Sequence, residues 1–287
     1  MNTQFIHSLF SSFQLWIENQ LVSDACGAYF TNKANVFSYV KFDDIPSSHR
    51  GYQGLYRQLV SDHDISVPNS GVFINGTFTT GSSTGIMIDY NNGRVIVPSG
   101  SGTGLSITAN SSIREINVYP TEDSEEQILL TNDFIDSSDP NSTYISSKTS
   151  KLNEKTFILP AIFLKLESST NKTFALGGEQ ETQVKVRAIV LTSNNFLLDG
   201  ILSFFNDKKH KCFSLIPSNE YPYGKYFTLK SFPYSYDNFS SGYSTKVHIE
   251  KIKASKVTNS FSLESLQRNL LLGYIDFDLS TYRYLNL

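Results

Sequence analysis

The spacing of apolar and polar positions predicts a helix first and then a series of strands. Near the amino terminus the apolar residues follow one helix face, with Thr3 as the N-cap, and fall at Ile6, Leu9, Phe10, Phe13, Trp16, Ile17 and Leu21. From residue 71 to residue 119, short apolar segments alternate with Gly, Ser, Thr and Asn. That punctuation is typical of an antiparallel β-sandwich or barrel-like module.

The clearest hairpin signal is GIMIDYNNGRVIVPSG, residues 85–100. A two-residue turn at Asn92-Gly93 predicts that one face is apolar and consists of Ile86, Ile88, Tyr90, Val95 and Val97. On the other face, Asp89 is predicted to form a surface ion pair with Arg94. The sequence therefore predicts a half-buried hairpin that serves as a scaffold.

A change in composition divides the chain into 1–133, 134–155 and 156–287. Residues 134–155 are poor in large apolar side chains, which predicts an exposed linker or arm. In 156–287, AIFLKLE and QVKVRAIVL alternate as half-buried strands, and further strands are predicted at CFSLI, VHIEKI and GYIDFDL. Ser193 or Asn194 can cap a helix with an apolar face at Leu197, Leu198, Ile201, Leu202 and Phe205. The predicted fold class is thus mainly β with some α, in two modules.

Charge and cysteine usage exclude several classes of function. The 287 residues carry a net charge of -3, and the Lys and Arg residues are spread along the chain, which argues against sequence-specific nucleic-acid binding. Cys26 and Cys212 lie in no metal-binding or disulfide pattern. No Lys or Arg precedes Lys33, so the first helix is predicted to be neither an export signal nor a basic membrane-surface helix.

Several short motifs partly match known catalytic, phosphate-binding or metal-binding patterns. GSSTG, residues 81–85, matches a serine-hydrolase motif with Ser83 as nucleophile, but strand-like residues on both sides favour a hairpin loop. GSGTG, residues 100–104, lacks the ending of a phosphate loop and is interpreted as a turn. His63, and His210 with Cys212, lack the second half of a metal site. The acidic run 121–127 is interpreted as a solvated face or a helix start. The sequence therefore predicts no catalytic residue, cofactor or metal.

The most unusual segment is 221–243, in which nine of the 23 residues are Tyr or Phe. Pro and Gly residues interrupt it, which favours a projecting loop that contacts other subunits. The predicted interface residues are Tyr221, Tyr223, Tyr226, Phe232, Tyr234, Tyr236, Phe239 and Tyr243. Stacking on carbohydrate and packing in a core are the alternatives.

Several of these segments resemble virion structural proteins of contractile-tailed bacteriophages. The resemblance is carried by GIMIDYNNGRVIV, REINVY, LGGEQETQVKVRAIVLTSNNFLLDGILSFFND and GYIDFDLSTYR. It implies a non-enzymatic subunit of a symmetric ring at the neck, the head–tail connection or the tail. The implied partners are other copies of the chain and other virion proteins, with no membrane or specific nucleic acid. The implied location is the virion, after synthesis in the host cytoplasm. A carbohydrate-binding receptor module and a hydrolase remain as alternatives.

Overall fold

The computed structural model describes residues 3–23, 26–65, 70–80, 85–102, 104–136, 156–174, 178–231, 233–257 and 270–284. The fold is mainly β with some helix, and it has an N-terminal helix and two curled β-sheet modules, as predicted. The helices are α1 (Thr3–Val22), α2 (Glu125–Thr131), α3 (Asn195–Asn206) and α4 (Tyr236–Ser241). The strands are β1 (Tyr29–Val40), β2 (His49–Gly54), β3 (Gly71–Ile74), β4 (Thr77–Thr80), β5 (Met87–Asp89), β6 (Arg94–Pro98), β7 (Ile107–Arg114), β8 (Asn117–Thr121), β9 (Asp133–Asp136), β10 (Thr156–Leu159), β11 (Ala161–Thr173), β12 (Glu179–Thr192), β13 (Cys212–Ser214), β14 (Lys246–Lys256) and β15 (Leu271–Tyr284).

The first module is a seven-stranded antiparallel sheet in the order β4-β3-β7-β1-β2-β6-β5. Strands β4 and β5 are the two opposite edges, yet only residues 81–86 connect them. That connection spans at most about 25 Å, whereas the edges of a flat sheet of this width are about 29 Å apart. The sheet must therefore curl. The hairpin-loop interpretation of GSSTG is wrong, because β4 pairs with β3 and β5 pairs with β6.

The second module is a six-stranded sheet in the order β13-β14-β15-β12-β11-β8. Its pairs are antiparallel except β11 with β8, which run parallel. Helix α1 packs on this sheet, where the ring centroid of Phe13 lies 5.6 Å from that of Phe213 and 5.0 Å from that of Phe277. Strand β8 and α1 both belong to 1–133, so one hydrophobic core crosses the predicted division of the chain.

Helix α3 covers the inner face of the six-stranded sheet. Its N-cap is Asn194, whose side chain accepts a hydrogen bond from the backbone N–H of Phe196 at 2.8 Å. The predicted apolar face is buried at Leu198, Ile201, Leu202 and Phe205. Gly273 in β15 permits this close packing, because a Cβ there would lie 2.9 Å from Leu198 Cδ1.

The first residues of the segment that was predicted to be exposed, 134–155, are buried. Phe134 and Ile135 are buried in β9, which pairs in parallel with β10. Phe134 packs with Ile128 and Leu129 of α2 in a second, smaller core on the outer face of the six-stranded sheet. Residues 137–155 lie outside the described residues. The division at 134–155 stays a prediction about independent folding.

Candidate functional site

The aromatic segment, residues 221–243, lies against the body of the protein. Tyr223, Tyr234 and Tyr236 are buried in the main core. The predicted projecting loop is therefore wrong for these rings, because Pro and Gly residues ended regular structure here without exposing the chain. Three further rings are partly buried against the same core: Tyr221, Phe239 and Tyr243. Tyr226 packs against a small cluster formed by Phe42, Ile45 and Ile96. Phe232 lies outside the described residues. A contact role stays a prediction for the partly exposed rings.

The rings of this segment contact one another in succession. Tyr223 lies 6.0 Å from Tyr234, Tyr234 lies 5.8 Å from Phe239, and Phe239 lies 5.6 Å from Tyr243, measured between centroids. Burial raises the pKa of Tyr223 to about 12 and also raises the pKa values of Tyr234 and Tyr236. These phenols are neutral at physiological pH, as rings in a core should be.

Asp62 holds the aromatic segment in place. Its Oδ2 accepts the backbone N–H of Tyr236 at 2.9 Å, and its Oδ1 accepts that of Asp64 at 2.9 Å. The backbone N–H of His63 donates to the carbonyl of Tyr234 at 2.7 Å. Burial raises the pKa of Asp62, although the two backbone hydrogen bonds lower it. SDHD, in which His63 was a candidate metal ligand, is thus a docking point for the aromatic segment.

A small cavity lies beside Tyr223 and Tyr234. On its wall, Arg114 Nη2 donates to Glu18 Oε2 at 2.9 Å, and Ser61 Oγ lies 2.5 Å from Tyr223 OH. The cavity volume of about 20 Å³ holds one water molecule. This group of ionisable side chains connects α1, β7 and the aromatic segment.

The hairpin of β5 and β6 has the predicted apolar face but a different turn. Asp89 pairs with Arg94, which leaves residues 90–93 as a four-residue loop instead of the predicted two-residue turn. The predicted surface ion pair is wrong, since Asp89 and Arg94 are both buried. Asp89 Oδ1 accepts a hydrogen bond from the backbone N–H of Asn92 at 2.9 Å, and Asp89 Oδ2 accepts one from Arg94 Nε at 2.9 Å. The two Nη atoms of Arg94 donate to the two carboxylate oxygens of Asp44, each at 3.0 Å. The polar side chains close the loop and tie it to the chain after β1.

The outer face of the seven-stranded sheet carries an exposed apolar row, formed by Val36, Phe73 and Phe78. Cross-strand pairing places Val36 and Phe73 on either side of Thr108, and Phe73 opposite Phe78. Val36 is 65% exposed, Phe73 42% and Phe78 50%. The rings of Phe73 and Phe78 meet edge to face, 5.2 Å apart between centroids. The alternation of short apolar segments in residues 71–119 does not indicate this row, although Asn75-Gly76 is a turn signal that places Phe73 and Phe78 on paired strands.

The remaining candidates are placed as follows. Ser83 lies outside the described residues. His210 sits in the turn after α3 with a positive φ of 67°, and Cys212 begins β13 with its side chain exposed. The acidic run contains the start of α2, where Ser124 and Gln127 form a capping box. Among the described residues, no three His, Cys, Asp or Glu side chains are grouped closely enough to hold a metal ion.

Comparisons with known proteins identify no family. No protein-family model matches the chain. No curated protein matches it either. Within the described part of the chain, no helix is both long enough and apolar enough to cross a bilayer.

Proposed function

We propose that this protein is a non-enzymatic structural subunit of a tailed-phage virion, which assembles with copies of itself and with other virion proteins. The resemblance of the quoted segments supports the virion setting and a ring at the neck, head–tail or tail interface. The observation that carries the self-assembly is the apolar row of Val36, Phe73 and Phe78. Aromatic side chains exposed on one sheet face are typical of a surface that another protein covers.

The row lies where a partner can reach it. Strand β4, which carries Phe78, is an edge of the sheet, so a neighbouring subunit can approach from the side as well as from above. The apolar contact extends across β1, β3 and β4 without an intervening charged side chain in the cross-strand row, because the residue between Val36 and Phe73 is Thr108. Burying such a row against a second subunit stabilises the complex by the hydrophobic effect.

The same geometry favours a protein contact over carbohydrate binding. Stacking on a sugar needs a flat ring face, whereas Phe73 and Phe78 are inclined at 60° to each other. A sugar could cover only one of the two rings. A protein surface, which combines pockets and ridges, can contact both.

The experiment compares Phe73→Ser/Phe78→Ser with Phe196→Ser, which removes a ring that is 83% exposed at the start of α3. Sedimentation velocity and electron microscopy should show ring-sized assemblies for the wild type and for Phe196→Ser, and smaller species for the double variant. Circular dichroism should be alike in all three. Normal assembly of the double variant would show that the apolar row is not the contact surface. Hydrolysis of a glycan or an ester that is abolished by Ser83→Ala would overturn the proposal that the protein is non-enzymatic.

A further inference from the structure

Strand β11 has one edge that is only partly paired. It pairs with β12 along its whole length, from Ala161 to Thr173. On the other edge, β8 covers only Ala161 to Lys165. In the described part of the chain, no strand pairs with residues 166–173 on that side, and all of these residues are exposed. Their outward backbone groups can therefore pair with another chain.

The other edges of the two large sheets have features that disfavour such pairing. Strands β5 and β13 are three residues long and β4 is four. Strand β8 contains Pro120, and the edge of β14 carries Lys251, Lys253 and Lys256. Short strands, Pro and Lys are the means by which proteins protect exposed edges. Residues 166–173 contain no Pro and a single Lys, Lys172.

The alternation of side chains fixes the register in which this edge can pair with itself. Three side chains of this edge face the outer side of the sheet: Ser168 opposite Lys185, Thr170 opposite Gln183, and Lys172 opposite Glu181. The two side chains between them face the inner side: Ser169 opposite Val184, and Asn171 opposite Thr182. An antiparallel pair keeps side chains of one face together only in certain registers. Placing a two-fold axis at Thr170 sets Thr170 against its own copy and Ser169 against Asn171, so every pair lies on one face.

The charges on this edge are complementary in the same register. A shift in the ladder between Leu166 and Ser168 leaves Glu167 as an extra residue beside Ser168. Ser168 is opposite Lys172 of the second copy, so each Glu167 carboxylate lies next to a Lys172 ammonium across the axis. Opposite charges and hydroxyl pairs at facing positions stabilise adjacent strands. None of the described residues forms an ion pair with Glu167 or Lys172 within one copy.

We infer that residues 168–172 of two copies pair antiparallel about a two-fold axis at Thr170 and join their six-stranded sheets into one. A two-fold contact uses the same surface on both subunits, as this register requires. The contact is separate from the apolar row and needs only a second copy of the chain.

Cysteine crosslinking tests the position of the axis. In a chain with the exposed Cys26 and Cys212 replaced by Ser, Thr170→Cys should form a disulfide-linked dimer under mild oxidation. Facing residues of an antiparallel pair lie about 4.5–5.5 Å apart between Cα atoms, which suits a disulfide. The control is Gln183→Cys, which lies on the same face one strand further in and should not crosslink. Equal crosslinking of both variants, or none, overturns the inference.

Charge exchange tests the register. Glu167→Lys and Lys172→Glu should each weaken the dimer by about tenfold, because each places like charges together across the axis, and the double exchange should restore it. Sedimentation equilibrium at low salt measures the dissociation constant. Failure of the double exchange to restore the dimer overturns the register. The Phe73→Ser/Phe78→Ser variant should still crosslink through Thr170→Cys, so failure of the apolar row and failure of this edge are distinguishable.

Discussion

Asp62 Oδ2 accepts the backbone N–H of Tyr236 at 2.9 Å, across 174 residues of sequence. Asp62→Ala leaves this buried donor and that of Asp64 without their acceptor. Since an unsatisfied buried donor costs about 1–3 kcal/mol, we expect the free energy of unfolding to fall by about 2 kcal/mol or more. Urea denaturation measures the loss. Asp237→Ala, which removes an exposed carboxylate from the same segment, should change the stability little.

The raised pKa of Asp62 also predicts a pH dependence of stability. The native state keeps the Asp62 proton at a pH where the unfolded chain, with a pKa of about 3.8, has lost it. The contribution is therefore fully present below that unfolded pKa and is lost as pH rises through the folded pKa. We expect the unfolding free energy of the wild type to decline across this window relative to Asp62→Asn. Parallel pH profiles of the two proteins would contradict the buried position of the carboxyl.

Tyr234→Ser with Tyr236→Ser should unfold the subunit rather than affect assembly alone. Both rings are buried, and the loss of a large buried side chain costs about 3–5 kcal/mol each. Thermal melting followed by circular dichroism measures the effect. The matched control is Tyr234→Phe with Tyr236→Phe, which keeps both rings. A stable Ser variant that no longer assembles would support the predicted contact loop.

Glu18→Gln and Arg114→Met should each destabilise the protein by about 3–5 kcal/mol, because each leaves the other charge buried without its partner. Glu18→Gln combined with Arg114→Met removes both charges and should cost less than the two single losses combined. A double-mutant cycle from denaturation curves gives the coupling. Additive losses would show that the pair is not coupled in the native state.

Gly93→Ala and Gly76→Ala separate the cost of a positive φ, which both positions have, from the cost of a steric collision, which only Gly93 has. The φ values are 59° and 84°, but a Cβ at Gly93 would collide with the carbonyl oxygens of Tyr56 and Arg57, whereas a Cβ at Gly76 has no neighbour within 4 Å. We expect a loss of about 1 kcal/mol at Gly76 and about 2–4 kcal/mol at Gly93. Equal losses in denaturation would mean that the residue 90–93 loop moves freely away from its neighbours.

Limited digestion with trypsin should cut after Lys148, Lys151 or Lys155 and leave two fragments that stay together. Strand β8 of the first fragment pairs with β11 of the second, and α1 packs on Phe213 and Phe277. Gel filtration should give one peak under native conditions and two in denaturant. Separation of the fragments under native conditions would support independently folding modules.

The features that could be predicted are those that depend on the spacing of apolar residues within one helix or strand. The buried faces of α1 and α3 and the alternation in β11 and β12 follow from periods of 3.6 and 2 within a single element. The apolar face of the β5–β6 hairpin was predicted for the same reason, even though its turn is longer than expected. A shift of two residues in register leaves the same side chains on the same face.

Contacts between distant parts of the chain are not indicated by any local pattern in the sequence. Nothing near Asp62 indicates that its acceptor atoms serve Tyr236, and nothing near β8 indicates that it leaves the first sheet to pair with β11. Pro and Gly in the aromatic segment predict a surface loop because they exclude regular strands. They do not decide burial, which depends here on the rings that face α1 and β7.

The central place of β15 in its sheet constrains the order of events during synthesis. Its neighbours β12 and β14 are both made earlier, and each lacks its shared partner until residues 271–284 have been added. A ribosome adds about 5–20 residues per second, so the edges of β12 and β14 that will pair with β15 keep unpaired hydrogen-bonding groups for seconds. The six-stranded sheet can close only after residues 271–284 have been made, and chains that lack β15 should be the ones that the cell's chaperones and proteases retain.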